Sequence, residues 1–273
     1  MLVNVKKNTI SFRFFVILLT FNLIISCKST SSYQTTKIEG KKIGVTNEKG
    51  ENEAITNYVK PYSDNINKDL NSVLAYCPET QDKSKGTWQS NIGNLLAEIT
   101  FELGNPLFQK REHKNIDICL LNNGGIRAII PKGDVTTRTA YEVMPFENSL
   151  VIVGLTGKEI KTLAEYFIKE KKPHPLYGMK IYIDKTTLAI NKIEINNQAL
   201  VENQTYYVAT SDYLANGGDN MTFFKESKIK FDLEYKLRNM LIDYFKKVGM
   251  KFDKIIIDCS PTNSAIQTAV YLS

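Results

Sequence analysis

The chain has 273 residues, 42% of them hydrophobic, which suits one folded domain with a sizeable core and sets aside a disordered chain. Its net charge of +6 is spread among mixed signs, with no basic run interleaved with aromatics. That excludes a nucleic-acid polymer as the natural partner and leaves a modest attraction for anionic small molecules.

Lys6, Lys7 and Arg13 precede an apolar run from Phe14 to Ile25, broken only by Thr20 and Asn22. At twelve residues this run is short for a membrane span and reads as a targeting segment. It ends in Ile24-Ile25-Ser26-Cys27, which resembles a bacterial lipobox. The expectation is a signal peptide over 1–26 with Cys27 acylated as the first mature residue. An ordinary secretory peptide with a chance cysteine is the alternative. Two or three acyl chains, at about 0.8 kcal/mol per buried CH₂, anchor stably where one is marginal. Residues 27–40 are small and polar and read as a flexible tether, leaving 41–273 as the folded domain.

Tyr62, Ile66, Leu70 and Val73–Leu74 recur at helical spacing and predict a helix from Pro61 to about Tyr76. Ile92, Leu95, Leu96, Ile99 and Leu103 predict a second, opened by Ser90 or Asn91 and stopped at Gly104-Asn105-Pro106. Ile116 to Leu121 reads as a short buried strand. Ser149 to Leu155 reads as another, running into Thr156-Gly157-Lys158-Glu159, a capping-box pattern. The helix that follows buries Ile160, Leu163, Ala164, Phe167 and Ile168. Met179–Ile183, Ile193–Ile195 and Tyr206–Thr210 read as strands. Leu233, Leu237, Met240, Leu241, Tyr244 and Phe245 mark a C-terminal helix. No βαβ period repeats, so the class is α+β. With Cys27 acylated, Cys77, Cys119 and Cys259 remain, an odd number that cannot pair completely. Cys119 lies in an apolar run and reads as a core thiol. A Cys77–Cys259 bridge suits an oxidising envelope, but the spacing does not require it.

Two glycine loops stand out. In Asn122-Asn123-Gly124-Gly125, glycine permits positive φ and close approach, while the amides and Arg127 supply donors. Alone, such a segment is usually only a turn, and a lone arginine is usually solvated. Asn216-Gly217-Gly218-Asp219 is the second, flanked by Tyr213 and Phe223–Phe224. Together the loops suggest a slot for a flat ring between aromatic faces, where stacking contributes roughly 1–3 kcal/mol per base. Periodicity does not separate that from core packing.

The blocks Leu121–Arg127, Met144–Asn148 and Ser211–Asp219 resemble, in order and approximate spacing, the binding segments of the 5'-nucleotidase C-terminal domain. The likeness extends from about Gly86 to Asp232. It implies an α+β fold of layered mixed sheets with flanking helices, and a site for a nucleotide or nucleoside. Carried over residue by residue, Asn122 would hydrogen-bond the base and Arg127 would contact phosphate. Phe146 and Tyr213 would stack, and Asp219 would take the ribose hydroxyls. Tyr213 stands where the family usually has phenylalanine, which keeps the ring face. A family arginine just upstream of Gln89-Ser90-Asn91-Ile92-Gly93-Asn94 falls here at Trp88, with Lys85 the nearest cation. Weaker phosphate recognition is one consequence; a buried structural indole is the plainer reading of Trp88.

The family's metallophosphatase half needs several histidines and carboxylates around two metal ions. The sequence holds only His113 and His174, both near lysines and both read as surface residues. No nucleophile elbow, Cys-x-x-Cys or Walker loop accompanies them. The expectation is therefore a cell-envelope lipoprotein, periplasmic or surface-exposed, that serves as the nucleotide-recognition subunit of a split 5'-nucleotidase. It would bind no cofactor itself, the divalent metal ions lying on a separate metallophosphatase partner. The alternatives are a non-catalytic nucleoside-binding lipoprotein and a domain retained for an interaction role.

Overall fold

The computed structural model describes residues 12–19, 33–44, 46, 50–84, 86–249 and the backbone of 269–272. Cys27, Lys85 and Cys259, and with them the lipobox and the cysteine bridge, lie outside the described residues. The chain divides into Met1–Glu53 and Ala54–Ser273. The first unit carries α1 (residues 12–19). No helix among the described residues is long and apolar enough to cross a membrane.

The body continues with α2 (Glu53–Leu70), β1 (Val73–Cys77), α3 (Asn91–Glu112), β2 (Ile118–Leu120), β3 (Gly133–Thr136) and α4 (Thr137–Val143). Next come β4 (Ser149–Thr156), α5 (Gly157–Glu170), β5 (Leu176–Tyr177), β6 (Met179–Asp184), β7 (Ile190–Ile195) and β8 (Gln198–Ala199). Then follow β9 (Thr205–Ser211), α6 (Asp212–Ala215), α7 (Thr222–Glu226), β10 (Lys230–Lys236), α8 (Leu237–Gly249) and β11 (Ala269–Leu272).

Among the described residues the strands form three sheets: β1-β3, β10-β4-β9-β2-β5 and β11-β6-β7-β8. The five-stranded sheet divides two cores, because successive side chains of a strand point to opposite faces. Leu150 and Ile152 of β4, Cys119 of β2 and Ala209 of β9 face α3 and α8. Val151, Val153 and Leu155, with Ile118, Leu120 and Val208, face α5 and the β6–β7 strands. The class is α+β, with layered mixed sheets and flanking helices.

Strand direction decides where the site lies. β2 runs parallel to β9, with Cys119 opposite Ala209, and β9 runs antiparallel to β4, with Ser211 opposite Leu150. The outgoing ends of β2 and β9 and the incoming end of β4 therefore share one edge. All three resemblance blocks hang from that edge.

Several boundaries differ from the periodicity reading. Val73 to Cys77 is a strand: it pairs with β3 and buries Ala75 and Cys77, while the helix starts earlier and takes Pro61 inside. The second helix does not stop at Gly104-Asn105-Pro106 but reaches Glu112. A Cβ on Gly104 would stand 2.9 Å from Leu150, so this glycine is there to seat the helix on β4. Asn105 Oδ1 accepts the Ile116 N–H at 2.8 Å, fixing the strand that follows. Leu233 belongs to β10, drawn out of the predicted C-terminal helix by pairing of Phe231 with Ile152. The capping box at Thr156 and Glu159 forms as read, with both reciprocal bonds. Cys119 is fully buried, and burial pushes its thiol pKa up.

Candidate functional site

From the end of β2 the chain enters a 3-10 turn, Asn123–Gly125, with Asn122 at its N-cap. A Cβ on Gly125 would lie 2.8 Å from Asn122 Oδ1, so glycine here leaves room for the Asn122 side chain to fold over the turn. Gly124 and Gly125 thus supply space, not positive φ. From the end of β9, Ser211 caps α6 by accepting the Leu214 N–H at 3.1 Å. The backbone then turns left-handed at Gly217 (φ 90), Asp219 (φ 51) and Asn220 (φ 61). Asp and Asn tolerate that region better than most side chains. Gly218 is required for another reason: a Cβ there would run into the Tyr213 ring.

The two loops meet at Asp219. Asn122 Nδ2 donates to Asp219 Oδ2 at 2.8 Å, and the Tyr213 hydroxyl donates to Oδ1 at 2.9 Å. The Asp219 N–H returns to the Tyr213 oxygen at 3.2 Å. Tyr166 of α5 donates to the Asp219 carbonyl at 2.8 Å, and burial holds its phenol pKa up at about 12, so it remains a donor. Nearby, Asn148 Nδ2 donates to Asp212 Oδ1 at 2.8 Å, tying the Phe146 segment to the start of α6.

A cleft of about 390 Å³ opens between these loops. The five nominated residues, Asn122, Arg127, Phe146, Tyr213 and Asp219, all line it, together with Gly124, Gly125 and Asn148. Phe146 is 50% exposed and Tyr213 46% exposed, so neither ring is a core residue. The Arg127 guanidinium lies 5.9 Å from the Phe146 ring centroid and donates to the Gly124 carbonyl at 3.3 Å. Asn148 was within reach of the sequence, since it closes the Met144–Asn148 block.

Four supporting side chains were not read from sequence. Arg238 of α8 is 5% exposed, donates to the Pro145 carbonyl at 3.1 Å and pairs with Glu147. Its guanidinium lies 4.1 Å from the Tyr141 ring. Lys236 adds bonds to the Glu147 carbonyl and Ser149 Oγ, each 2.8 Å. Phe146 is thereby carried on a loop strapped from both sides, and the Arg238 bond and charge hold the Glu147 carboxyl below its ordinary range. Lys83 donates to the carbonyls of Asn123, at 3.1 Å, and Ile126. Burial and then the nearby Arg127 charge lower its pKa.

The fourth corrects the reading of a surface histidine. His174 is not a surface residue: it is 2% exposed, and its Nδ1 accepts the Asn123 N–H at 3.2 Å. Burial brings its pKa down to about 4, so the ring is neutral near pH 7. His113 is exposed, as read, and ends α3 in a left-handed cap. Trp88 is 7% exposed and packs with the core, so the plainer reading of it holds. Among the described residues no group of three His, Cys, Asp or Glu side chains is placed to hold a metal ion.

The sequence model of the family described as 5'-nucleotidase, C-terminal domain, matches residues 72–226, more than half of the chain. The trifunctional nucleotide phosphoesterase protein YfkN of Bacillus subtilis (strain 168) is 32% identical over 178 residues, covering 60% of this chain and 12% of that protein. The 5'-nucleotidase of Vibrio vulnificus (strain CMCP6) is 25% identical over 193 residues, covering 67% of this chain and 32% of the relative. Among solved structures, a 5'-nucleotidase precursor from Thermus thermophilus superposes with a TM-score of 0.62 at 25% identity, over 81% of this chain and 43% of that one. The chain therefore spans less than half the length of each of these proteins.

Proposed function

Because the chain belongs to the 5'-nucleotidase C-terminal domain family, we propose that its cleft recognises a nucleotide or nucleoside for phosphomonoester hydrolysis. One observation carries this: two aromatic rings, each about half exposed, line one cleft beside an asparagine, an aspartate and an arginine. Large exposed rings are costly to leave in water unless something covers them, and a base offers a flat face to both. Asn122 would read the base edge, Asp219 the sugar hydroxyls and Arg127 the phosphate, with Lys83 adding positive charge nearby. The Tyr213 and Asn122 bonds already orient the Asp219 carboxylate, which lowers the ordering cost of binding.

In this reading the chain is the recognition subunit of a split enzyme. A separate metallophosphatase supplies the divalent metals and the attacking water, and this chain positions the substrate. Acylation at Cys27 would hold it at the cell envelope, on the strength of the Ile24–Cys27 order. The Trp88 substitution favours a second reading, a nucleoside-binding lipoprotein without catalysis, in which phosphate adds little to affinity.

The test is calorimetric binding of nucleosides and their 5'-monophosphates to the full chain, with phosphate release followed with and without a metallophosphatase. Binding of either ligand class, with release only when the partner is present, supports the split enzyme. Binding without release in any mixture supports the second reading, and no binding removes both. Cys27→Ser should move the protein from the membrane to the soluble fraction; retention on membranes after a high-salt wash would refute the anchor.

A further inference from the structure

The Asn122 loop closes its own 3-10 turn, with the Gly125 N–H on the Asn122 carbonyl, but is also held from outside. It is fastened to the segment Pro173–Pro175, some fifty residues downstream, by three hydrogen bonds, two from its backbone and one from the Asn123 side chain. The Leu121 N–H donates to the Pro175 carbonyl at 2.9 Å, the Asn123 Nδ2 to the Pro173 carbonyl at 3.2 Å, and the Asn123 N–H to His174 Nδ1 at 3.2 Å. The first two acceptors are main-chain carbonyls that any residue would supply. The third depends on one side chain in one tautomer.

Because Nδ1 accepts, the proton of the neutral ring sits on Nε2. The ring is locked in place by an edge contact with Phe167 (5.7 Å between centroids) and a tilted one with Tyr166 (5.9 Å). Tyr166 also bonds the Asp219 carbonyl. The histidine and the tyrosine thus place the two halves of the cleft from a common support on α5. Asn123, spent on these anchoring bonds, leaves Asn122 as the asparagine turned to the cleft, where it meets Asp219.

We propose that His174 is a positioning residue of the cleft, its neutral imidazole accepting the Asn123 N–H so that the Asn122 side chain is presented to a nucleoside. The ligand half of this statement rests on the proposed function; the hydrogen-bonded clamp rests on geometry alone.

The experiment follows both halves on the full chain, in the wild type, His174→Leu and His174→Asn. Imidazole nitrogen shifts and amide exchange at Asn123 read the clamp. Calorimetry with adenosine, guanosine, cytidine and uridine reads the presentation. The wild type should show an unprotonated Nδ1 near pH 7 and a protected Asn123 amide. His174→Leu should lose that protection and weaken nucleoside binding roughly tenfold, the effect of one hydrogen bond at the upper end of its usual range. His174→Asn, with an acceptor oxygen near the Nδ1 position, should restore most of both; a merely space-filling role would favour leucine instead.

A protonated Nδ1 in the wild type near pH 7 overturns the proposal without any variant, even if His174→Leu fails to fold. Unchanged Asn123 exchange in His174→Leu also overturns it, as does unchanged affinity with exchange lost. A wild type that binds none of the four nucleosides brings down the proposed ligand, and the Asn123 exchange then still decides whether the clamp exists.

Discussion

The two loops of the cleft carry nearly the same letters, Asn-Gly-Gly, and are held in different proportions from within and from outside. The Asn122 loop is a short helical turn with its backbone bonded to outside partners: Lys83 on its carbonyls and the Pro173–Pro175 segment on its N–H groups. The Gly217–Asn220 loop turns left-handed and is stitched by Tyr213 of its own block to Asp219 in both directions, with Tyr166 of α5 adding one bond to the Asp219 carbonyl. In the first, glycine makes room for a movable amide; in the second, for a rigid ring. Identical loop letters therefore say little about what a mutation will do.

The comparison breaks most visibly under acid. His174 has its pKa lowered from 6.5 to about 4, so the unfolded chain binds a proton that the folded one refuses. The stability present above pH 6.5 should be lost as pH falls toward 4, by roughly 3 kcal/mol at about 1.4 kcal/mol per unit. Denaturant titrations at pH 7 and pH 4 should show a drop in the wild type that His174→Asn lacks. An equal drop in both would place the acid sensitivity elsewhere.

Next in size are the glycines. Gly218→Ala drives a methyl into the Tyr213 ring and should cost about 1–3 kcal/mol, as overpacking usually does. Gly125→Ala meets only the end of the Asn122 amide, which can rotate, and should melt close to wild type while binding ligand less well. Melting curves that rank the two the other way round would dissolve the distinction between the loops.

The rings should behave as ligand contacts. Phe146→Ala and Tyr213→Ala should each weaken nucleoside binding by roughly 1–3 kcal/mol. A core aromatic would instead cost roughly 3–5 kcal/mol of stability, which calorimetry and melting on the same variants separate. The smallest effect belongs to Tyr213→Phe. The family resemblance makes this change neutral, since the stacking face remains. The structure gives the hydroxyl two bonds to Asp219, so the variant should lose about 1 kcal/mol of nucleoside affinity. Unchanged affinity would show that the left-handed turn holds Asp219 without help.

These contrasts also mark what the sequence revealed. The five nominated residues converge because each sits in a short block beside a strand, and apolar runs such as Ile116–Leu121 and Ser149–Leu155 announce their strands directly. The layered α+β arrangement was legible through the same blocks. Helix limits were not: Gly104 and Pro106 look like a stop, and only the seat of α3 on β4 keeps the helix going. The supports were hidden for a similar reason. Lys83, His174 and Arg238 act on loops forty to more than ninety residues away, so nothing in their local sequence advertises the task. A histidine among lysines reads as solvated until the fold closes over it.

The Arg238 strap bears on time as much as on shape. Asn122 and Asp219 are 97 residues apart, and Arg238 reaches back 93 residues to Pro145. Contacts of such separation carry a larger loop-closure cost than local ones. During synthesis, both aromatic rings leave the ribosome well before α8. The strap on the Phe146 loop exists only once α8 has docked, so the onset of nucleoside binding in a refolding mixture should follow the docking of the C-terminal helix.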